Sequence, residues 1–295
     1  MTGGAGFAGS HLVSLLREAR EEPAAPTRSE LDLLDAQAVR GAVRKLQPRA
    51  VFHLAALASV NRSWGDPAET LSANLGMTLN VLEAVRREAP GAPVLLVGSG
   101  EVYGAPERLP VEEDAPLRPQ NPYAVSKAAC DLLGRQYVDA HGLRVIRTRS
   151  FNNAGPGQSD EYVVGTLTRQ VAEAELGARG EALLSVGNLD AARDFTDVRD
   201  VVRAYAAAIE LPAGAYNVCS GRSVRVRELV ELLGRVASVE VRAEVDPERV
   251  RPHDVPEIRG SAERLQSATG WRPEIPLEHT LADALSAWRD RLVVA

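Results

Sequence analysis

"MTGGAGFAGSHL" (residues 1–12) decides how this chain is read. Gly3, Gly6 and Gly9 have the spacing of a turn whose backbone can approach a pyrophosphate closely, since no Cβ stands in the way. "HLVSLLREAR" (11–20) continues the turn as an amphipathic helix, whose N-terminal end carries the partial positive charge that attracts an anion. A turn of this kind ordinarily leaves the end of a buried strand, yet only Met1 and Thr2 precede Gly3. The expectation is a chain that lacks its first strand, read from a start codon placed too far downstream.

With 295 residues, 45% of them hydrophobic, the chain can build a large core, as one domain or as two lobes. A net charge of −6 provides no broad electrostatic footprint for nucleic acid. No stretch approaches the roughly 20 apolar residues of a membrane span, and no signal peptide opens the chain, so a cytoplasmic protein is expected. Cys130 and Cys219 match no metal or disulfide spacing and read as buried, reduced thiols; no metal is expected. Of 34 basic residues, only Lys45 and Lys127 are lysine. In so arginine-biased a chain, a surviving lysine marks a position that the broad guanidinium plane does not fill.

Apolar runs alternate with helical periodicity, which predicts an α/β fold, a doubly wound parallel sheet covered by helices. "RAVFHLAA" (49–56), "APVLLVGSG" (92–100) and "LRVIRTRSF" (143–151) read as buried strands. Between them fall a long helix after Pro67 and a helix over 123–142 that Gly142 stops. Beyond residue 152, "NNAGPGQSDEY" reads as a loop and "VVGTLTRQVAEAEL", "VRDVVRAYAAAIEL", "VRELVELLGRVA" and "LADALSAWRDRL" as helices. "ALLSVGN", "AYNVCSG" and "VEVRAEV" read as strands among them. The expected division is a nucleotide-binding domain over 1–152, to which 189–211 returns, and a smaller C-terminal α/β lobe over 153–295. "EEPAAPTRSELDLLD" (21–35) lies where a doubly wound fold needs its second strand, but Pro23, Pro26 and few β-branched residues make a poor one.

Two further motifs carry chemistry. Tyr123-Ala-Val-Ser-Lys127 sets a phenol and an ammonium four residues apart, on one helix face. A phenol near pKa ~10 is a poor acid or base at neutral pH, and a nearby cation is expected to lower it by roughly 1–3 units. "VGSGEVYG" (97–104) ends a strand at the carboxyl edge, where open α/β sheets bind their ligands. Ser99 can there hydrogen-bond a reacting oxygen, and Glu101 is a candidate base. Arg28 follows the glycine turn by about twenty residues, where an acidic residue would bind the ribose 2′-hydroxyl of NAD. Arginine suits a 2′-phosphate instead, so NADP(H) is the preferred cofactor and NAD(H) the lesser one.

Glycine turn, strand-end serine and Tyr-x-x-x-Lys, in that order, resemble the extended short-chain dehydrogenase/reductase family, the NAD-dependent epimerases and dehydratases of nucleotide sugars. "FHLAALASV", "NPYAVSKAA", "RDFTDVRD", "YNVCSG" and "TGWRP" extend the likeness over nearly the whole chain. "FNNAGPGQ", "VGNLDAARDFTDVRD" and "RPHDVPEIRGSAERLQSATGWRP" are most similar to its GDP-mannose branch. The resemblance implies a Rossmann-like fold and a catalytic set of Ser99, Tyr123 and Lys127 beside Glu101, with Lys127 also holding the nicotinamide ribose. It implies Gly3, Gly6, Phe7 and Gly9 at the pyrophosphate, Asp32 and Leu33 at the adenine, and Leu54, Ala55 and Ala56 along the ribose. It further implies Asn152 at the substrate, with Arg193 and Arg251 on the diphosphate, which a guanidinium fork grips bidentately. Gly100 departs from the thymidine-type 4,6-dehydratases, which have Asp there.

The activity expected from this branch is NADP-dependent reduction of GDP-4-keto-6-deoxymannose at C4. Dehydration of GDP-mannose is the alternative; a UDP- or dTDP-sugar 4-epimerase and a non-catalytic sugar-nucleotide-binding protein come after it. The expected partners are a GDP-linked hexose and a second copy of the chain, paired through the helices at 68–88 and 123–142 in a four-helix interface.

Overall fold

Residues 1–249 and 255–294 are described by a computed structural model. The first half runs α1 (Phe7–Glu18), α2 (Ala36–Leu46), β1 (Val51–His53), α3 (Val60–Gly65), α4 (Pro67–Glu88), β2 (Val94–Ser99), α5 (Pro122–His141) and β3 (Val145–Ser150). It continues with β4 (Asn152–Ala154), α6 (Val163–Leu176), β5 (Glu181–Val186), β6 (Ala192–Asp197), α7 (Val198–Ala208), β7 (Gly214–Val218) and β8 (Ser223–Arg225). The chain closes with α8 (Val226–Val236), β9 (Glu240–Val245), β10 (Glu257–Ile258), α9 (Glu263–Thr269) and α10 (Leu277–Val294).

Local chemistry sets the two helices that matter most. Asp66 accepts from the Glu69 N–H at 2.9 Å and is followed by Pro67, so α4 starts on a capped, preset turn. Asn121 does the same for α5, accepting from the Ala124 N–H at 2.7 Å ahead of Pro122. Gly142 closes α5 at φ +65°.

The central sheet is parallel throughout, in the order β1-β2-β3-β7. Ser99 and Ser150 are register partners at its carboxyl edge. On the outer side of β1, Thr2 makes one parallel bridge to His53, its N–H donating to Phe52 O at 2.9 Å and its carbonyl accepting from the Leu54 N–H at 3.2 Å. Residues 21–35 form turns and no strand, as their prolines predict. Asp35 then caps α2, a helix not expected from the sequence, by accepting from the N–H groups of Gln37 and Ala38.

β4 corrects the reading of residues 152–154 as loop. Asn-Asn-Ala has no strand signature of its own and is extended because it pairs in parallel with β6. β6 in turn takes β8 antiparallel and β10 parallel, while β5 and β9 form a separate parallel pair. Val201, Tyr205 and Val218 share a core with Leu12, Leu95 and Ile146, so the sheet's own covering comes partly from beyond residue 152. Leu167, Leu184, Leu229, Leu285 and Trp288 form a second core. Among the described residues, no helix is long and apolar enough to cross a membrane.

Candidate active site

The glycine turn fits a closely approached phosphate cradle, and two of its glycines are fixed by sterics. Gly3 has φ +73°, and a Cβ on it would stand 2.7 Å from the Ala55 nitrogen. A Cβ on Gly9 would stand 2.0 Å from the Gly3 carbonyl oxygen, against backbone that has nowhere to go. Gly6 is the N-cap of α1 and offers no side-chain cap, so the first amides of the helix, Phe7's among them, are left for a ligand.

A buried polar chain, not seen in the sequence, holds the turn down. The Ala55 N–H lies 3.4 Å from Thr2 Oγ1, and Thr2 Oγ1 lies 2.7 Å from His53 Nδ1. Thr78 Oγ1, which donates to Asn74 O at 2.9 Å, lies 3.3 Å from His53 Nε2. With the Thr78 proton spent, Nε2 donates, and the neutral ring that burial favours accepts from Thr2 Oγ1 through Nδ1. Burial, followed by the charge of Lys127, lowers the His53 pKa to about 3.

The candidate catalytic groups lie at the carboxyl edge of the sheet. Ser99 ends β2 and its Oγ accepts from the Glu101 N–H at 3.2 Å, which leaves the hydroxyl proton free to act on the Tyr123 phenol of α5, whose pKa Ser99 pulls down against burial. Lys127, 6% exposed, extends under the sheet edge so that Nζ donates to Val97 O at 2.5 Å. Glu101 accepts from Asn121 Nδ2 at 3.0 Å, so the residue that caps α5 also places this carboxylate. Asn74 is the organising group that sequence reading missed. It takes both the N–H and the C=O of Leu57, at 2.7 and 3.1 Å, and donates to Ser126 Oγ at 2.9 Å. A lone amide on the apolar face of "ETLSANLGMT" was the available signal.

One electrostatic expectation is corrected. The Tyr123 pKa is raised, not lowered: burial is the largest cause, with Ser99 the opposing one. Lys127 is not among the groups that set it: its ammonium donates to Val97 O, and burial lowers the Lys127 pKa as well. The phenol therefore keeps its proton at neutral pH.

Gly100 packs beneath Phe151, and a Cβ there would stand 3.0–3.2 Å from three ring carbons. A side chain there would press on that buried ring, which would have to give by a few tenths of an ångström.

The other expected site residues are more scattered. Arg28 is exposed on a turn stapled by Glu30, which accepts from the Thr27 N–H and hydroxyl. Asp32 accepts from the Leu34 N–H, while the Leu33 side chain packs in the core with Val39 and Val81. Leu54, Ala55 and Ala56 lie half-buried after β1, against Gly3. Asn152 donates to Asp194 O at 3.3 Å, and Arg193 donates to Val255 O at 2.7 Å. Asp194 itself is buried and accepts from Ser220, Gly221 and Gly260; burial still pushes its carboxyl up to about 6. Arg251 lies outside the described residues. A polar cavity of about 580 Å³ is lined by Ser220, Arg259, Gln266 and Arg272, and Tyr123 is not among its lining residues.

The family model described as GDP-mannose 4,6 dehydratase matches residues 18–284. GDP-6-deoxy-D-mannose reductase of Pseudomonas aeruginosa is 41% identical over 297 residues, covering 99% of this chain and 97% of that protein. The solved structure of RMD from Pseudomonas aeruginosa complexed with NADPH superposes with a TM-score of 0.90 at 39% identity, covering 98% of this chain and 97% of that one. UDP-glucose 4-epimerase of Thermus thermophilus, solved with NAD, gives 0.85 at 31% identity, with the same coverage.

Proposed function

The chain belongs to the GDP-mannose 4,6-dehydratase family, and from that premise we propose that it is an NADP(H)-dependent reductase of GDP-4-keto-6-deoxymannose, acting at C4. The packing at Gly100 carries this reading within the family. Dehydration needs a base for the C5 proton and an acid to help the C6 hydroxyl leave. Beside Glu101, Gly100 carries no acid, and a Cβ there would press to 3.0–3.2 Å from the Phe151 ring. Reduction needs only the groups that the sheet edge presents.

The bound dinucleotide supplies the hydride. Tyr123 gives its proton to O4, and burial ensures that the phenol still holds that proton at neutral pH. Ser99 shares that oxygen and holds the phenol in line. Lys127, placed against Val97 O, supplies a compact positive charge under the site and a donor for the ribose. Gly3, Gly6, Phe7 and Gly9 take the pyrophosphate, Asp32 and Leu33 flank the adenine, and Leu54, Ala55 and Ala56 wall the ribose. Arg28 reads the 2′-phosphate, and Asn152, Arg193 and Arg251 take the nucleotide sugar. Residues 1–152, with 189–211, form the cofactor domain in this reading, and 153–295 the substrate lobe.

The dehydratase is the second reading, because Glu101 is a carboxylate near enough to act on the Tyr123 phenol. GDP-mannose with NADP⁺ and GDP-4-keto-6-deoxymannose with NADPH, offered to separate samples, decide between them. Turnover is expected in the second alone; keto sugar formed in the first overturns the reductase.

A cytoplasmic homodimer completes the proposal. Leu75 and Leu79 on α4, with Val125 and Leu132 on α5, are apolar yet 38–56% exposed, at helical spacing. Sedimentation is expected to show a dimer that Leu132→Arg converts to monomer; a wild-type monomer at micromolar concentration sinks the interface.

A further inference from the structure

His11 lies within the second turn of α1, its ring edge-on to Phe7 with centroids 5.8 Å apart. Its Nε2 is 2.9 Å from the carbonyl oxygen of Pro156. A carbonyl only accepts, so Nε2 carries the proton, in the neutral ring or the imidazolium alike. The bond thus joins the helix of the glycine turn to a segment 145 residues away.

That segment is built to hold a shape. It starts on the β4–β6 ladder, with Asn152 opposite Phe195 and Ala154 opposite Asp197. Gly155 turns it at φ +147°, where a Cβ would stand 2.9 Å from Val198, and Gly157 turns it again at φ +87°. Gln158, 5% exposed, closes it by donating to Asn153 O at 2.6 Å. Gln158 Oε1 and Asn153 Oδ1 are both buried without a hydrogen-bond partner, acceptors that a bound molecule can satisfy.

We propose that His11 is a positioning residue. Its bond to Pro156 ties the pyrophosphate helix to the segment bearing Asn152, so that filling the glycine turn and capturing the nucleotide sugar strengthen each other. The inference rests on the reductase reading through Asn152. A segment anchored at both ends loses less freedom when a ligand orders it, and linkage makes the gain reciprocal.

The test compares wild type with His11→Phe, which keeps a ring without the donor, and His11→Gln, which restores an N–H at similar reach. NADPH affinity is titrated with and without saturating GDP, and steady-state kinetics follow with the keto sugar nucleotide. In wild type, GDP should tighten NADPH. In His11→Phe that tightening should vanish and the KM for the sugar nucleotide should rise about three- to tenfold, the worth of one neutral hydrogen bond. Its kcat should stay within about twofold, and His11→Gln should recover both. The proposal is overturned if GDP leaves wild-type NADPH affinity unchanged, or if His11→Phe keeps the coupling and KM while only its melting temperature falls. It is overturned equally if His11→Gln fails as His11→Phe does. A wild type that reduces no keto sugar overturns the reductase reading instead, and the titrations still decide on His11.

Discussion

The glycine turn and the catalytic ledge sit at neighbouring strand ends, yet opposite means hold them. The turn is backbone against backbone: Gly3 against Ala55, Gly9 against Gly3, with one bridge from Thr2 to His53. The ledge is side chain against everything else: Asn74 to Leu57 and Ser126, Asn121 to Glu101, Lys127 to Val97. One region is ruined by added atoms and the other by removed ones. That asymmetry orders the experiments.

The largest effect is expected where a single oxygen is removed. Tyr123→Phe should lower kcat by roughly 10²–10⁴ while NADPH affinity stays unchanged, as measured by stopped-flow turnover beside a binding titration. A Phe variant with most of its activity would show that the ledge does not catalyse. Lys127→Arg belongs to the same set, since a planar guanidinium cannot replace the ammonium 2.5 Å from Val97 O.

Next comes a single added methyl. Gly9→Ala should abolish measurable NADPH binding and cost about 1–3 kcal/mol in chemical denaturation, because its Cβ meets Gly3 O at 2.0 Å. Gly41→Ala, on a helix face where a Cβ meets nothing within 4 Å, is the matched control and should be neutral or slightly stabilising. Equal behaviour of the two variants breaks the comparison.

His53 belongs to both regions, and pH reveals it. Its folded pKa of about 3 lies below the unfolded value of 6.5, so between those limits the unfolded chain binds the extra proton. This contribution to stability falls with pH through that window, by about 2 kcal/mol between pH 7 and pH 5. His53→Gln should lose stability at pH 7 yet lack that slope; parallel wild-type and variant curves would mean that His53 is not buried neutral. The smallest effect is at the surface. Arg28→Ala should cut the preference for NADPH over NADH about tenfold and leave kcat at pH 7 unchanged. An unchanged ratio would show that the exposed guanidinium does not read the phosphate.

The same asymmetry explains what the sequence disclosed. Gly3, Gly6, Gly9 and the Tyr123–Lys127 pair were legible because glycine sterics and helical spacing are properties of neighbours in the chain. The strands of the central sheet were legible from apolar runs, and the end of α5 from Gly142. Asn74, Thr2 and His53 were not, because each matters through partners 17 to 53 residues away. β4 was misread for the same reason, being a strand only by virtue of β6. The direction of the Tyr123 shift failed too: spacing put the ammonium on the right helix face, and only the fold showed how deeply the phenol is buried.

The order β1-β2-β3-β7 has a consequence for synthesis. Once Ser150 has left the ribosome, β3 is an unpaired edge until Gly214–Val218 arrives, after the whole β4–α7 excursion. At ~5–20 residues per second, that strand waits for several seconds with its backbone open to other chains. A fragment cut at residue 152 would keep that edge for good. The natural severing point in the sequence is therefore the wrong place to cut the gene, and a soluble cofactor-binding fragment must carry the chain through at least Val218.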